Sequence, residues 1–206
     1  MKKLTTKETF TLAVQNHKKN NFEIAEKLYK KILNIDPNHF GSIFLLGSLF
    51  AQTRDFTSAK KLLEKAIRIN SKYTEAHYNL GNVLGQLGET QQAIKSYEKA
   101  IEINPKYFEA HNNLGNLLKE FGETQLAIKS YEKAIEINPK YFEAHNNLGI
   151  IFATLKEVKQ AIKSYEKAIK INPNYAVAYN NLGLVFHKIG MYQQAIKSYE
   201  KAIKIN

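Results

Sequence analysis

An internal repeat constrains the fold of this chain more than any other feature of its sequence. Residues 93–115 recur letter for letter as residues 127–149, at an offset of 34 residues. Because a repeat of this length cannot bury its own apolar face, neighbouring copies must stack into a continuous core. We therefore predict a single array over residues 1–206, with no linker and no second domain. Extending the period in both directions gives the units 6–39, 40–73, 74–107, 108–141, 142–175 and 176–206.

Each unit has the pattern of two helices joined by a turn. In the fourth unit, apolar residues step by three and four positions in two runs, 110–121 and 127–137. Gly122 separates the runs and can end the first helix in a left-handed conformation. Pro139 ends the second run, because proline cannot continue a helix. The sequence predicts an all-α chain of six helix hairpins, with about twelve helices.

Small residues recur at two places in this pattern. A mid-helix glycine costs roughly 1 kcal/mol relative to alanine, so its repetition predicts a close approach of the paired helices, with a recurrent alanine as the small residue of the facing helix. The glycines are Gly47, Gly81, Gly115, Gly149 and Gly183, and the alanines are Ala59, Ala93, Ala127, Ala161 and Ala195. Arg54 and Lys156 stand where other units have a turn glycine, and a left-handed backbone there predicts mild strain.

The period and the framework N-N-L-G, A-I-x-x-Y-x-x-A-I and N-P resemble the tetratricopeptide repeat (TPR) over essentially the whole chain. The resemblance implies a right-handed α-solenoid, a superhelix in which the first helix of each hairpin lines a concave groove and the second lies outside. It also implies a protein–protein interaction scaffold. TPR domains that grip acidic C-terminal tails use basic groove residues, and the matching places here hold Glu75, Glu109 and Glu143 instead.

Asparagines recur on the side of the first helix that faces away from the predicted core. An amide both donates and accepts hydrogen bonds, so a row of amides suits the backbone of an extended peptide. The row Asn79, Asn113, Asn147 and Asn181 is similar to the asparagine ladder in the TPR domain of O-linked N-acetylglucosamine transferase. Repetition by duplication of a tolerated surface residue is the alternative. The candidate peptide-binding residues are Asn79, Asn82, Asn112, Asn113, Asn116, Asn146, Asn147, Asn180 and Asn181.

The formal net charge of +11 comes largely from two rows of lysine on the second helices. The helical spacing turns both rows away from the core, so a solvated outer face is the favoured interpretation. Attachment to nucleic acid or an anionic membrane is the alternative, and the lack of interleaved aromatic residues disfavours nucleic acid. The rows are Lys27, Lys61, Lys95, Lys129, Lys163 and Lys197, and Lys31, Lys65, Lys99, Lys133, Lys167 and Lys201.

Nothing in the sequence predicts catalysis, a cofactor or a metal site. The chain lacks cysteine, and no nucleotide-binding loop, nucleophile motif or His-Glu-x-x-His pair occurs. His77, His111 and His145 lie one repeat apart, which is about 8–10 Å or more between helices. Zinc needs ligands at about 2 Å, so these histidines cannot share one ion. We expect no enzymatic activity.

The last repeat has no polar helix to cap it, and Ile196, Tyr199 and Ile203 are expected to be partly uncovered. Self-association through this end is one interpretation, and continuation into a larger protein is another. A scaffold that binds an extended peptide or protein segment of unidentified sequence is the favoured function. The alternatives are the substrate-recruiting N-terminal region of a larger bacterial transferase and a basic surface for nucleic acid or membrane. With no apolar segment long enough for a signal peptide or a membrane span, a cytoplasmic location is expected.

Overall fold

Helices account for most of residues 4–205. The computed structural model describes residues 4–205, so the predicted array limits at residues 1 and 206 lie outside the described residues. Within that part the chain is all-α and contains no strand, as the periodicity predicts. The twelve helices are α1 (Thr6–Lys18), α2 (Phe22–Ile35), α3 (Phe40–Gln52), α4 (Phe56–Ile69), α5 (Thr74–Gln86), α6 (Thr90–Ile103), α7 (Phe108–Glu120), α8 (Thr124–Ile137), α9 (Phe142–Thr154), α10 (Val158–Ile171), α11 (Ala176–Lys188) and α12 (Tyr192–Ile205).

The helices form two compact units, residues 1–105 and 106–206, each with three hairpins. In the second unit, α7 pairs with α8, α9 with α10, and α11 with α12. The first helices α7, α9 and α11 also contact their neighbours in sequence order, whereas the described residues of α8, α10 and α12 make no contact with one another. In the first unit, likewise, α3 contacts both α1 and α5, whereas the described residues of α2, α4 and α6 make no contact with one another. Within each unit the first helices therefore form the more closely spaced layer.

The turns explain why the helices end where they do. The second helix of the fourth hairpin ends before Asn138, whose side-chain Oδ1 accepts a hydrogen bond from the backbone N–H of Lys140 at 3.1 Å. This side-chain turn and the following proline compete with further helix. At the turn inside the hairpins, Arg54 and Lys156 have φ of 65° and 62°, which confirms the predicted left-handed conformation. Asn20 has the same conformation, and asparagine tolerates it well.

Recurrent glycines mark a close approach inside the hairpins, as predicted, but the neighbour differs from the prediction. A Cβ atom on Gly115 would lie 2.7 Å from Cε1 of Tyr131, and one on Gly149 would lie 2.6 Å from Cε1 of Tyr165. At Gly81, Gly115, Gly149 and Gly183 a tyrosine ring of the second helix, and not the alanine, therefore fills the space that glycine leaves; at Gly47 the neighbours are Leu62 and Leu63. The predicted alanines are buried beside it, as Ala127 shows at 0% exposure.

Cores form where one hairpin meets the next. In the second unit, Ala127 and Tyr131 of α8 pack against Leu148 and Ile151 of α9. Ala161 and Tyr165 of α10 meet Leu182 and Val185 of α11 in the same way. The periodic apolar positions thus bury themselves against the following first helix. The last hairpin has no such neighbour among the described residues, and Ile196 and Ile203 are 49% and 75% exposed there, as expected.

Candidate functional site

One face of the first helices carries the predicted asparagines. Residues spaced by four and then three positions share a side of a helix, and this spacing defines a surface that we call the first-helix strip. In the second unit the strip comprises Glu109, Asn113 and Asn116 on α7, Glu143, Asn147 and Ile150 on α9, and Val177, Asn181 and Leu184 on α11. In the first unit, α5 has Glu75, Asn79 and Asn82 at the same places.

Amide hydrogen bonds join successive first helices across the strip. In the second unit, Nδ2 of Asn147 donates to Oδ1 of Asn112 at 3.0 Å and to Oδ1 of Asn116 at 3.1 Å. One repeat further on, Nδ2 of Asn181 donates to Oδ1 of Asn146 at 3.1 Å. Neutral hydrogen bonds of this kind contribute about 1 kcal/mol each. The asparagines therefore hold the first helices side by side.

The row of Asn112, Asn146 and Asn180 is divided by burial. Asn112 is 4% exposed and Asn146 is 2% exposed, because the following first helix covers each of them. Asn180, at the same place on α11, is exposed. The geometry gives the two buried amides a role in joining helices. Contact between this row and a peptide stays a prediction.

Asn82 and Asn116 bond to the second helix of their own hairpin. The hydroxyl of Tyr97 donates to Oδ1 of Asn82 at 2.7 Å, and the hydroxyl of Tyr131 donates to Oδ1 of Asn116 at the same distance. Burial, with a smaller effect of the Glu120 carboxylate, raises the pKa of Tyr131 well above its ordinary value. Tyr131 is therefore a neutral donor at physiological pH.

In the row Asn79, Asn113, Asn147 and Asn181, three of the four amides keep an oxygen that accepts no hydrogen bond within the described residues. Asn79, Asn147 and Asn181 are half-buried, and Nδ2 of Asn79 donates to Oγ of Ser48 at 3.0 Å. In all three amides the nitrogen is used within the protein, whereas Oδ1 accepts no hydrogen bond from any described residue. Asn113, also half-buried, accepts at Oδ1 from Nδ2 of Asn112 at 3.2 Å. The strip therefore presents amide oxygens rather than complete amides.

The lysine rows lie on the second helices and are exposed, apart from half-buried Lys65. Lys99 and Lys133 form ion pairs with Glu102 and Glu136, one turn further along the same helix, at 2.8 Å. Exposed pairs of this type contribute little to stability. The sequence places the rows correctly, and the side chains are solvated.

The recurrent histidines bond to the turn that precedes them. Nε2 of His77 lies 3.0 Å from the carbonyl oxygen of Ser71, and Nε2 of His145 lies 3.2 Å from that of Pro139. Burial lowers the pKa of His145, which favours the neutral ring. Within residues 4–205, no three side chains of His, Asp or Glu could hold a metal ion together.

The geometry of each unit defines a class of protein: stacked helix hairpins whose first helices form one closely spaced layer. Models of the tetratricopeptide repeat match residues 74–107, 176–206 and 96–129. A further TPR repeat model matches residues 47–88, 115–156 and 151–190, which together exceed half of the chain. The chain belongs to the tetratricopeptide repeat family. Repeats of this family generally build protein-interaction scaffolds without enzymatic activity.

Solved structures of TPR proteins resemble the chain over most of its length. MamA is 29% identical, with a TM-score of 0.70 over 78% of this chain and 94% of that one. YrrB is 21% identical, with a TM-score of 0.67 over 86% and 92%. A TPR protein from Parabacteroides merdae is 19% identical, with a TM-score of 0.83 over 98% and 80%. No curated protein matches the sequence significantly. No helix of residues 4–205 is both long enough and apolar enough to cross a membrane.

The sequence did not reveal that the rows of asparagines differ in burial and in hydrogen-bonding partners. The three rows were predicted to be equivalent, whereas one row is mostly buried and another is bonded to tyrosine. Two signals were available: Asn112 and Asn147 are 35 residues apart, one more than the repeat, and Asn116 precedes Tyr131 by 15. Neither spacing has a meaning before the packing of successive hairpins is known.

Proposed function

We propose that this protein is an interaction scaffold that binds an extended peptide or protein segment along the first-helix strip. One observation carries the proposal: the half-buried amides of Asn147 and Asn181 sit on adjacent helices with their oxygens unbonded. Such oxygens accept from the backbone N–H groups of an extended chain. The structure of YrrB is described as that of a TPR protein with an unusual peptide-binding site.

Adjacent repeats match the geometry of an extended ligand. First helices that pack side by side are about 8–10 Å apart, and an extended chain advances about 3.3 Å per residue. One amide oxygen per helix therefore meets about every third residue of the ligand. A ligand held mainly through its backbone is selected by shape and direction more than by sequence.

A double substitution tests the proposal. Peptides of twelve residues would be selected from a displayed random library against the full chain, and the best binder would be measured by fluorescence anisotropy. The variant Asn147→Ala, Asn181→Ala should weaken binding of this peptide about thirtyfold, since each of the two lost hydrogen bonds is worth about 1 kcal/mol. The control is Lys129→Ala, Lys163→Ala on the second helices. Equal loss in both variants, or unchanged affinity in the first with helicity intact, would refute the proposal.

A second candidate function rests on the charge of α10 and α12. Where α6 and α8 have Glu102 and Glu136, these helices have Lys170 and Lys204. Among the described residues, Lys170 and Lys204 have no carboxylate partner, so the last two hairpins carry exposed positive charge that is not paired locally. Binding of a twenty-nucleotide single-stranded DNA that weakens steeply with salt would support this function. Binding that is absent at low salt would remove it.

A further inference from the structure

The first-helix strip changes chemically along the second unit. Each first helix contributes three residues to the strip. The first of these is Glu109 on α7 and Glu143 on α9, whereas it is Val177 on α11. The third of these residues is Asn116 on α7, Ile150 on α9 and Leu184 on α11. Val177 and Leu184 are 50% and 46% exposed. The strip therefore runs from an acidic, amide-rich end to an aliphatic end.

Glu143 lies at the centre of this gradient without a partner. Its side chain is half-buried, and its Oε2 atom is buried without a hydrogen bond. No lysine, arginine or histidine nitrogen pairs with it among the described residues. A desolvated carboxylate oxygen that lacks a donor is costly. A cation supplied by a ligand at the accessible edge of this carboxylate would offset that cost.

Glu143 directly follows an aromatic residue, Phe142, whose ring contacts Tyr175. Tyr175 packs edge-on against Phe142, with 4.8 Å between ring centroids. Burial raises the pKa of Tyr175, and the carboxylate of Glu143 adds to the effect, so the two groups lie within electrostatic reach. A carboxylate beside aromatic rings is a favourable environment for an ammonium or guanidinium group.

Other charges along the strip leave this centre acidic. Lys119 follows Glu109 by ten residues on α7, which corresponds to about 15 Å along a helix. Lys188 follows Val177 by eleven residues on α11, so it lies at the far end of that helix. The oxygens of Asn147 on α9 and Asn181 on α11 add acceptors along the strip. A ligand that fits must contribute donors and positive charge.

We infer that the strip takes a basic–apolar segment: an extended peptide with a lysine or arginine over Glu143 and an aliphatic residue over Val177 and Leu184. The inference rests on the proposed function and names the chemistry of its ligand. With about 8–10 Å between helices and about 3.3 Å per residue, the two anchors stand about three residues apart. A second basic residue three positions beyond the first lies over Glu109.

The test uses the full chain and three labelled peptides of eleven residues, measured by fluorescence anisotropy at low ionic strength. The first contains the core Lys-Ser-Ser-Lys-Ser-Ser-Leu, the second has glutamate for both lysines, and the third has serine for leucine. We expect the first peptide to bind and the second not to bind detectably. The third should bind about ten- to hundredfold more weakly than the first, because it lacks the aliphatic side chain that is buried against the strip.

Variants of the protein locate the anchors. Glu143→Gln keeps the shape and removes the charge, and it should weaken the first peptide about fivefold, as a partly buried ion pair does. Val177→Asn with Leu184→Asn should abolish the difference between the first and third peptides. The matched control is Glu132→Gln, on the exposed face of α8, which should have no effect.

The outcomes separate this inference from the proposed function. If all three peptides bind equally and all bind more weakly to the Asn147→Ala, Asn181→Ala variant, the scaffold function stands and the basic–apolar ligand is wrong. If the glutamate peptide binds more tightly than the lysine peptide, the strip prefers negative charge and the inference is overturned. If none binds, the inference fails, and the library-selected peptide tests the scaffold function independently.

Discussion

The fourth hairpin (α7 and α8) and the sixth hairpin (α11 and α12) have nearly the same residues at their core positions and very different surroundings. Tyr131 is 0% exposed in the fourth, whereas the equivalent Tyr199 is half-buried in the sixth. Ile135 is half-buried, whereas the equivalent Ile203 is 75% exposed. The difference shows that burial in this fold is supplied by the next hairpin, as expected for an array with nearest-neighbour interfaces.

The largest effect that this comparison predicts concerns the tyrosine. Tyr131→Ala leaves a cavity beneath α9 and removes the hydrogen bond to Asn116, so it should lower the free energy of unfolding by about 3–5 kcal/mol. Tyr199→Ala should lower it by about 1 kcal/mol, since its ring is already half in water. Urea unfolding followed by far-UV circular dichroism measures both. Equal losses would show that the sixth hairpin is as tightly packed as the fourth.

The glycine opposite each tyrosine gives the next effect. An added Cβ on Gly115 would lie 2.7 Å from a ring atom of Tyr131, and on Gly183 the same distance from a ring atom of Tyr199. Gly115→Ala should destabilise by about 1–3 kcal/mol, because the buried ring cannot move. Gly183→Ala should be neutral or slightly stabilising, because the half-exposed ring can rotate away and alanine gains roughly 1 kcal/mol of helix propensity.

The melting temperatures of the two alanine variants check this prediction. A fall in Gly183→Ala as large as that in Gly115→Ala would mean that Tyr199 is fixed by something other than a following hairpin. The two variants therefore compare the mobility of the Tyr131 ring with that of the Tyr199 ring.

The asparagines sharpen the comparison further. Asn146 is buried and accepts a hydrogen bond from Asn181 at 3.1 Å, whereas Asn180 is exposed at the equivalent place on α11. Asn146→Ala should cost about 1 kcal/mol, and Asn180→Ala should change stability by less than about 0.5 kcal/mol. Urea titration resolves the two. A cost for Asn180→Ala as great as for Asn146→Ala would show that exposed amides on the first helices also stabilise the fold.

Substitutions at the turn inside a hairpin should change stability by an amount that does not depend on whether another hairpin follows. Gly122 and Gly190 have φ of 85° and 78°, and the space that a Cβ would occupy on either residue is open. Gly122→Lys and Gly190→Lys should therefore each cost about 1 kcal/mol, and Lys156→Gly, which relieves the same strain, should raise the melting temperature. Differential scanning calorimetry checks all three. Unequal costs at the two glycines, or a lower melting temperature for Lys156→Gly, would contradict this account of the turn.

Much of the fold could be predicted because it depends on local rules. The repeat period, the proline at the end of the second helix and the glycine turn each act within a few residues, so the twelve helices and their turns followed from the sequence. The partner of Gly115 did not follow, since a small residue indicates close approach without naming what approaches. The tyrosine that fills the gap was visible only in three dimensions.

The candidate site was less predictable because its asparagines differ only in what surrounds them. Asn112 and Asn113 are adjacent in sequence and identical in type, yet one is buried beneath α9 and the other is half-buried on the strip. A helical wheel separates neighbours by about 100°, which is too coarse to tell a buried, helix-joining amide from one that is partly exposed on the strip. The burial of Oε2 of Glu143 without a hydrogen bond could not be predicted from the sequence.

The central claim is that the ligand lies on the first helices and that the lysine rows of the second helices stay in water. It is tested most directly by nuclear magnetic resonance of the full chain, with the side-chain amides observed while the Lys-Ser-Ser-Lys-Ser-Ser-Leu peptide is added. The account predicts shifts at Asn147 and Asn181, with unchanged backbone signals around Lys129 and Lys163. Shifts confined to the second helices, with the asparagine amides unchanged, would contradict it.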